Sequence, residues 1–251
     1  NGKVFRLYGI TSGKEDVTHT HTSTRIPMRI PLEGTDDKSP VAWDSFDIND
    51  DGFDDLCVAA PLLSQIHIYM GNAEGLSATP LHIDSLTGIA SLKFNRAGDL
   101  VVLSPTERTL AVHQATTMTN TFPDVIELEG QPLAFGHSEN GEQLYSVTRN
   151  KRDYTLVTID TASRDVLKTR PIPLRNDPAT IMPIPLSAHT NGLIFFQSYQ
   201  APVMYSVSST DIKEIPVSNF RALTETLSAD AFALVPESSP TKILVANKKV
   251  A

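Results

Sequence analysis

The segment 53-FDDLCVAAP-61 is a turn running into a short apolar strand, and variants of it return four more times. They are 97-AGDLVVLSP-105, 141-GEQLYSVTR-149, 191-NGLIFFQSY-199 and 240-PTKILVANK-248. Each places a turn signal just ahead of a β-rich run. The runs begin at Leu56, Leu100, Leu144, Leu193 and Ile243, with separations of 44, 44, 49 and 50. Helical signals are almost absent, and the best of them, 221-RALTETLSAD-230, is short. A second strand follows each of the first four runs: 66-IHIYMG-71, 109-TLAVHQ-114, 155-TLVTID-160 and 203-VMYSVS-208. The steps Leu56 to Ile68 and Leu100 to Val112 are both 12. A strand also precedes the run, as in 89-IASLKFN-95 and 131-QPLAFGH-137, and an outer one follows some repeats, as in 124-DVIELEG-130 and 212-IKEIPV-217.

A period in the forties points to a β-propeller or a β-solenoid, and about four strands per unit is a propeller blade. The expectation is an all-β chain of five four-stranded blades, at roughly 41–83, 89–130, 131–175, 179–218 and 229–251 with 1–32. The fifth repeat runs out after 243-ILVAN-247, and 3-KVFRLYG-9 supplies its missing strand at the same offset of 12, counted across the termini. Strands near 3–10 and 26–32 are therefore expected to complete the last blade. Sharing a blade between the two ends closes the ring and removes free sheet edges. The alternative is a different blade count, or one section of a larger propeller.

Composition narrows the class. The 251 residues are ample for a hydrophobic core, and the hydrophobic content of 40% is ordinary for a globular chain. No apolar stretch is long enough to span a membrane as a helix. No signal peptide is visible and no Met stands first, so a mature form or an excised piece is expected. The formal net charge is −8, and the basic clusters are only 149-RNKR-152 and 248-KK-249, so no face suits nucleic acid. The single cysteine, Cys57, sits in an apolar run and is read as a small buried hydrophobe.

Just ahead of the first repeat, 47-DINDDGFDDL-56 holds five acidic side chains in ten residues. Asp47, Asn49 and Asp51 take places 1, 3 and 5, Gly52 place 6, Phe53 place 7 and Asp55 place 9. Alternating oxygen-bearing side chains, a glycine for a sharp turn and a backbone carbonyl suit a hard cation such as Ca²⁺. A helix–loop–helix site would want Glu at place 12, where this chain has Val58. The flanks 41-VAWDSF-46 and 56-LCVA-59 read as strands, so the loop is of a strand–loop–strand type. A plain solvated turn is the competing reading.

The stretch 47-DINDDGFDDLCVAAP-61, followed by 66-IHIYMGNAEGLS-77, resembles the FG-GAP/VCBS repeat of integrin α-subunit propellers and of bacterial secreted and surface proteins. The likeness covers about residues 41–80. It implies that Asp47, Asn49, Asp51 and Asp55 give side-chain ligands and Phe53 its carbonyl to one structural Ca²⁺, with Asp50 and Asp54 facing solvent. The other repeats lack the acidic loop, and 95-NRAGD-99 and 138-SENGE-142 read as plain turns.

Other chemistry-bearing residues are scattered. His19 and His21 in 18-THTHTSTR-25 share a face if extended, yet no third ligand lies nearby. No G-x-S-x-G elbow, phosphate loop or H-E-x-x-H occurs. Trp43, Phe46, Phe94, Phe135 and Phe232 hold similar places and read as core; exposed, they would suit glycan stacking. The expected function is a non-enzymatic, calcium-clipped binding or scaffold module with a protein or glycan partner. An extracellular, periplasmic or cell-surface setting, rich in calcium, suits such a loop. The alternative is a hydrolase, lactonase or lyase at the mouth of the central channel, for which Asp84, Asp124, Asp177, His137 and His189 are candidates by residue type.

Overall fold

The computed structural model describes residues 4–7, 28–31, 33–35, 41–118, 122–187, 190–197, 200–216, 232–235 and 242–245. The described residues contain no helix, and so none that is long and apolar enough to cross a membrane. Near the N-terminus, β1 (Val4–Leu7) pairs antiparallel with β2 (Met28–Pro31), inside the ranges expected for them. The first four-stranded sheet follows, with β3 (Trp43–Phe46), β4 (Asp55–Ala60) and β5 (Gln65–Tyr69). A two-residue hairpin, β6 (Gly71–Asn72) with β7 (Gly75–Leu76), precedes its outer strand β8 (Leu81–Asp84). The second sheet is β9 (Ser91–Phe94), β10 (Leu100–Ser104), β11 (Thr109–His113) and β12 (Asp124–Glu127). The third is β13 (Gln131–His137), β14 (Gln143–Asn150), β15 (Asp153–Asp160) and β16 (Val166–Ile172). The fourth is β17 (Thr180–Ser187), β18 (Thr190–Phe196), β19 (Val203–Ser208) and β20 (Ile212–Ile215). Last, β21 (Phe232–Val235) pairs with β22 (Lys242–Val245).

Each four-stranded sheet is an antiparallel meander, the unit the repeat implied. The unbroken apolar runs have a physical cause. In a strand, alternate residues face opposite sides. Leu100 and Val102 pack with Cys57, Ile66 and Ile68 of the preceding sheet, while Val101 and Leu103 pack with Phe135 and Leu144 of the following one. Both faces of the second sheet are therefore buried, and both are mainly apolar. The same holds between the third and fourth sheets, where Val147, Leu156, Leu193 and Phe195 meet.

The first strand of the first sheet runs beside that of the second, β13 runs beside β17, and between the second and third sheets β10 meets β13. Phe46 stacks on Phe94 at 5.2 Å, and the Phe94 N–H donates to Asp44 Oδ2 at 2.8 Å. At the third sheet the approach is closer still. A Cβ on Gly136 would lie 2.4 Å from the Ile181 carbonyl oxygen and 2.9 Å from Pro183 Cδ. Gly136→Ala should therefore force β13 and β17 apart and lower stability by about 1–3 kcal/mol. Urea unfolding checks this, and an unchanged midpoint would refute the close approach.

Trp43 corrects the core reading. It is 49% exposed, because the alternation along β3 turns Trp43 and Ser45 outward and Asp44 and Phe46 inward. Phe135 is buried, and Cys57 is fully buried with its thiol pushed up by burial. His19, His21, His189 and 221–230 lie outside the described residues, as do the side chains of β1, β2, β21 and β22, Phe232 among them.

Candidate functional site

The acidic loop joins β3 to β4, as its flanks indicated. Gly52 takes φ +87, open to glycine, and Asp50 takes φ +56, which Asp tolerates better than most residues. The loop's oxygens fold onto its own backbone. Asp47 accepts from the N–H of Asp51 (3.1 Å) and Gly52 (2.8 Å), and Asn49 Oδ1 also accepts from Asp51 N–H (3.1 Å). Asp51 accepts from Phe53 N–H (2.9 Å) and from Asn49 Nδ2 (2.9 Å).

Asp55 is different. It is 0% exposed, and its two oxygens accept from Gly71 N–H (2.7 Å) and Ile48 N–H (3.0 Å). Burial pushes its carboxyl above the ordinary value; the two N–H bonds oppose this, and the Asp51 and Asp47 charges add to it. Burial likewise raises Asp44.

The second sheet shows what is general in this design. Asn95 stands where Asp47 stands, one residue past the first strand, and its Oδ1 accepts from Ala97 and Asp99 N–H, both at 2.9 Å. Asp99 stands where Asp55 stands, and its Oδ1 accepts from Ala115 N–H at 3.1 Å, 16 residues on, as Gly71 is 16 residues from Asp55. In the third sheet Ser138 Oγ takes the Asn95 role, accepting from Gln143 N–H at 2.9 Å. Thus 95–99, read as a plain turn, shares its two end residues' work with the acidic loop. The acidic loop is the same turn expanded from five residues to nine. Pairing of distant N–H groups left no sign in the sequence beyond the Asp before Leu56 and before Leu100.

The donor set Asp47, Asn49, Asp51, Phe53 carbonyl and Asp55 is all oxygen, which suits a hard cation. A carboxylate oxygen carries more than one lone pair, so an N–H bond orients it without exhausting it. Among the described residues no three His, Cys, Asp or Glu side chains form a ready-made metal cluster. The fit is therefore one of donor chemistry and chain order.

The candidates for catalysis lie on separate elements. Asp84 accepts from Gln65 Nε2 (3.2 Å) and Asp124 from Gln114 Nε2 (2.9 Å). Asp177 pairs with Arg149 and accepts from Tyr154 Oη at 2.9 Å. His137 ends β13 with its ring edge-on to Phe135, and burial holds it down to about 4. One pair the sequence did not reveal is Ser85 Oγ and His113 Nε2, 3.0 Å apart. His113 is 1% exposed, held at about 4 by burial, and its Nδ1 has no hydrogen-bond partner among the described residues. Without an orienting acid the pair acts as a tie between the first two sheets.

No family model and no curated protein matches the sequence. Solved structures do match in shape. The protein BBS1N, crystallised in complex with ARL6DN, gives a TM-score of 0.53 at 11% identity, over 84% of this chain and 62% of that one. Virginiamycin B lyase from Staphylococcus aureus gives 0.51 at 11% identity, over 83% and 74%. A putative 6-phosphogluconolactonase from Bacteroides uniformis gives 0.53 at 10% identity, over 74% and 58%. The chain has a β-propeller fold. It spans about six-tenths of the BBS1N and lactonase chains, and 46% of another match, the Kuenenia stuttgartiensis hydrazine synthase. These propellers include named enzymes and a protein seen with a protein partner, so the fold by itself selects no activity.

Proposed function

We propose that this propeller is a non-enzymatic binding or scaffold module of the FG-GAP/VCBS type, clipped by one structural Ca²⁺ and presenting its loops to a protein or glycan partner outside the cytoplasm. The observation that carries this is the nine-residue turn 47–55, which adds Asn49, Asp51 and the Phe53 carbonyl between end residues that the shorter turn also uses. Bound there, Ca²⁺ would neutralise carboxylates that otherwise repel one another. Asp47, Asn49, Asp51, Phe53 and Asp55 would hold it.

Two further observations support the reading. Asp84, Asp124 and Asp177 are each engaged by neighbours on different elements, so these three form no convergent acid–base set for the rival enzyme reading among the described residues. Phe53 is exposed within the loop and Trp43 is exposed at the far end of β3, and either would serve stacking on a sugar or partner. The two terminal strand pairs complete the ring as a fifth blade in this proposal. Leu56, Val58 and Tyr69 on the first sheet, and Ile194 and Phe196 on the fourth, are buried on the faces such a blade would cover.

Calorimetric titration of the full chain tests the ion. One Ca²⁺ per chain is expected, and Asp47→Asn with Asp51→Asn should abolish binding while the chain stays folded by circular dichroism. A folded wild-type chain that takes up no Ca²⁺ overturns the assignment.

A further inference from the structure

The turns joining second to third strands lie at the ends of the strands opposite the acidic loop. Between those turns of the second and third sheets is an open pocket of about 320 Å³, lined by Arg108, Gly130, Gln131, Arg149, Asn150 and Lys151. Three cations and no acid line it, on a chain whose net charge is −8. The sequence drew attention to 149-RNKR-152, but Arg108 comes from the neighbouring sheet.

The three cations are not equivalent. Arg149 is held in place: Nη1 pairs with the Asp177 carboxylate, Nη2 donates to Gln131 Oε1 at 3.0 Å, and Tyr154 Oη fixes Asp177 from behind at 2.9 Å. Its charge is thus largely balanced while its guanidinium plane is pre-set. The side chains of Arg108 and Lys151 make no hydrogen bond or ion pair among the described residues. Both are exposed, and neither is in an ion pair with a carboxylate among the described residues.

The turn backbone sets how these two residues are displayed, in a conformation that Ser64 shares in the corresponding turn of the first sheet. Arg108 sits at φ +58 and Lys151 at φ +56. Such angles are strained for residues with a side chain, and Gly or Asn would relieve them. The turns place long cations there instead. Gly130, at φ +86, lets the adjoining turn close onto the Arg149 backbone, where a Cβ would come within 2.8 Å of the Arg149 carbonyl oxygen.

We infer that this pocket binds a small dianion, with the Arg108 guanidinium and the Lys151 ammonium neutralising it and Arg149, tied to Asp177 and Gln131, forming the wall between them. A phosphate monoester and a dicarboxylate share that chemistry: two negative charges on oxygens within reach of a planar fork and a point charge. The site does not depend on the calcium loop, which lies at the other end of the strands.

Backbone amide NMR of the full chain, titrated with inorganic phosphate, succinate or acetate at constant ionic strength set by NaCl, tests it. Saturable shifts centred on Arg108, Gly130 and Lys151 are expected with phosphate or with succinate, and which of the two gives them names the ligand class. Acetate should bind at least about tenfold more weakly than the preferred dianion, having one charge to offer. Arg108→Gln and Lys151→Gln should each weaken that dianion by about tenfold, the size of one lost charge-assisted hydrogen bond. Shifts with neither dianion, shifts spread over the surface, or affinities unchanged in both variants would overturn the proposal.

Discussion

Replacing Asp55 with alanine should cost about 2–4 kcal/mol of stability even in EDTA, because two N–H groups lose their acceptors together. Asp55 is fully buried, and its oxygens receive the Gly71 N–H at 2.7 Å and the Ile48 N–H at 3.0 Å. An alanine leaves both donors unpaired, one of them in a buried place that water does not reach. The same tie recurs in the second sheet through Asp99 and Ala115, so it serves the fold and not only an ion. Asp51→Asn should behave oppositely. Asp51 is exposed and its bonds lie within the loop, so its loss should matter little in EDTA and show only when Ca²⁺ is present. Urea unfolding of the two variants, each with EDTA and with Ca²⁺, separates the roles. An Asp55→Ala midpoint within error of wild type in EDTA would remove the tie.

Acidification should weaken the chain through His113. Burial holds this imidazole at about 4, well below the ordinary 6.5. The unfolded chain therefore takes up the proton first. Stability from this group is complete above pH 6.5, falls as the pH drops, and levels off below about 4. The span of about 2.5 pH units corresponds to about 3 kcal/mol. Glutamine at this position stays neutral and can still meet Ser85. His113→Gln should thus flatten the acid side of the stability profile by about that amount, measured as urea midpoints from pH 7 to 4. Burial lowers His137 as well, but it is present in both chains and cancels in the comparison. Parallel profiles would show that His113 does not titrate across folding.

Leu56, Leu100, Leu144 and Leu193 could be aligned from sequence because each lies in a strand whose two faces are both buried. That demand writes an unbroken apolar run, which survives as a period even at changed residues. The outward side of β3 left no such mark, so Trp43 read as core although it faces solvent. Ligand order in the acidic loop was legible because it is local. The Asp99 tie was not, since its partner N–H belongs to Ala115 and any residue but proline supplies one. Ser85 with His113, and Arg108 with Lys151, are each separated by a whole strand or more, and only the stacking of neighbouring sheets brings them together.

The shared end residues of the 47–55 and 95–99 turns have an evolutionary consequence. Asp47 and Asn95 open the turn, Asp55 and Asp99 close it, and the flanking strands pair antiparallel in both sheets, with Phe46 opposite Asp55 and Phe94 opposite Leu100, a ladder moved by one residue. What lies between behaves as a cassette. It can be lengthened, shortened or transplanted from one sheet to another without re-inventing its anchorage, so a lineage could gain or shed ion sensitivity by a four-codon insertion or deletion while the scaffold stays intact.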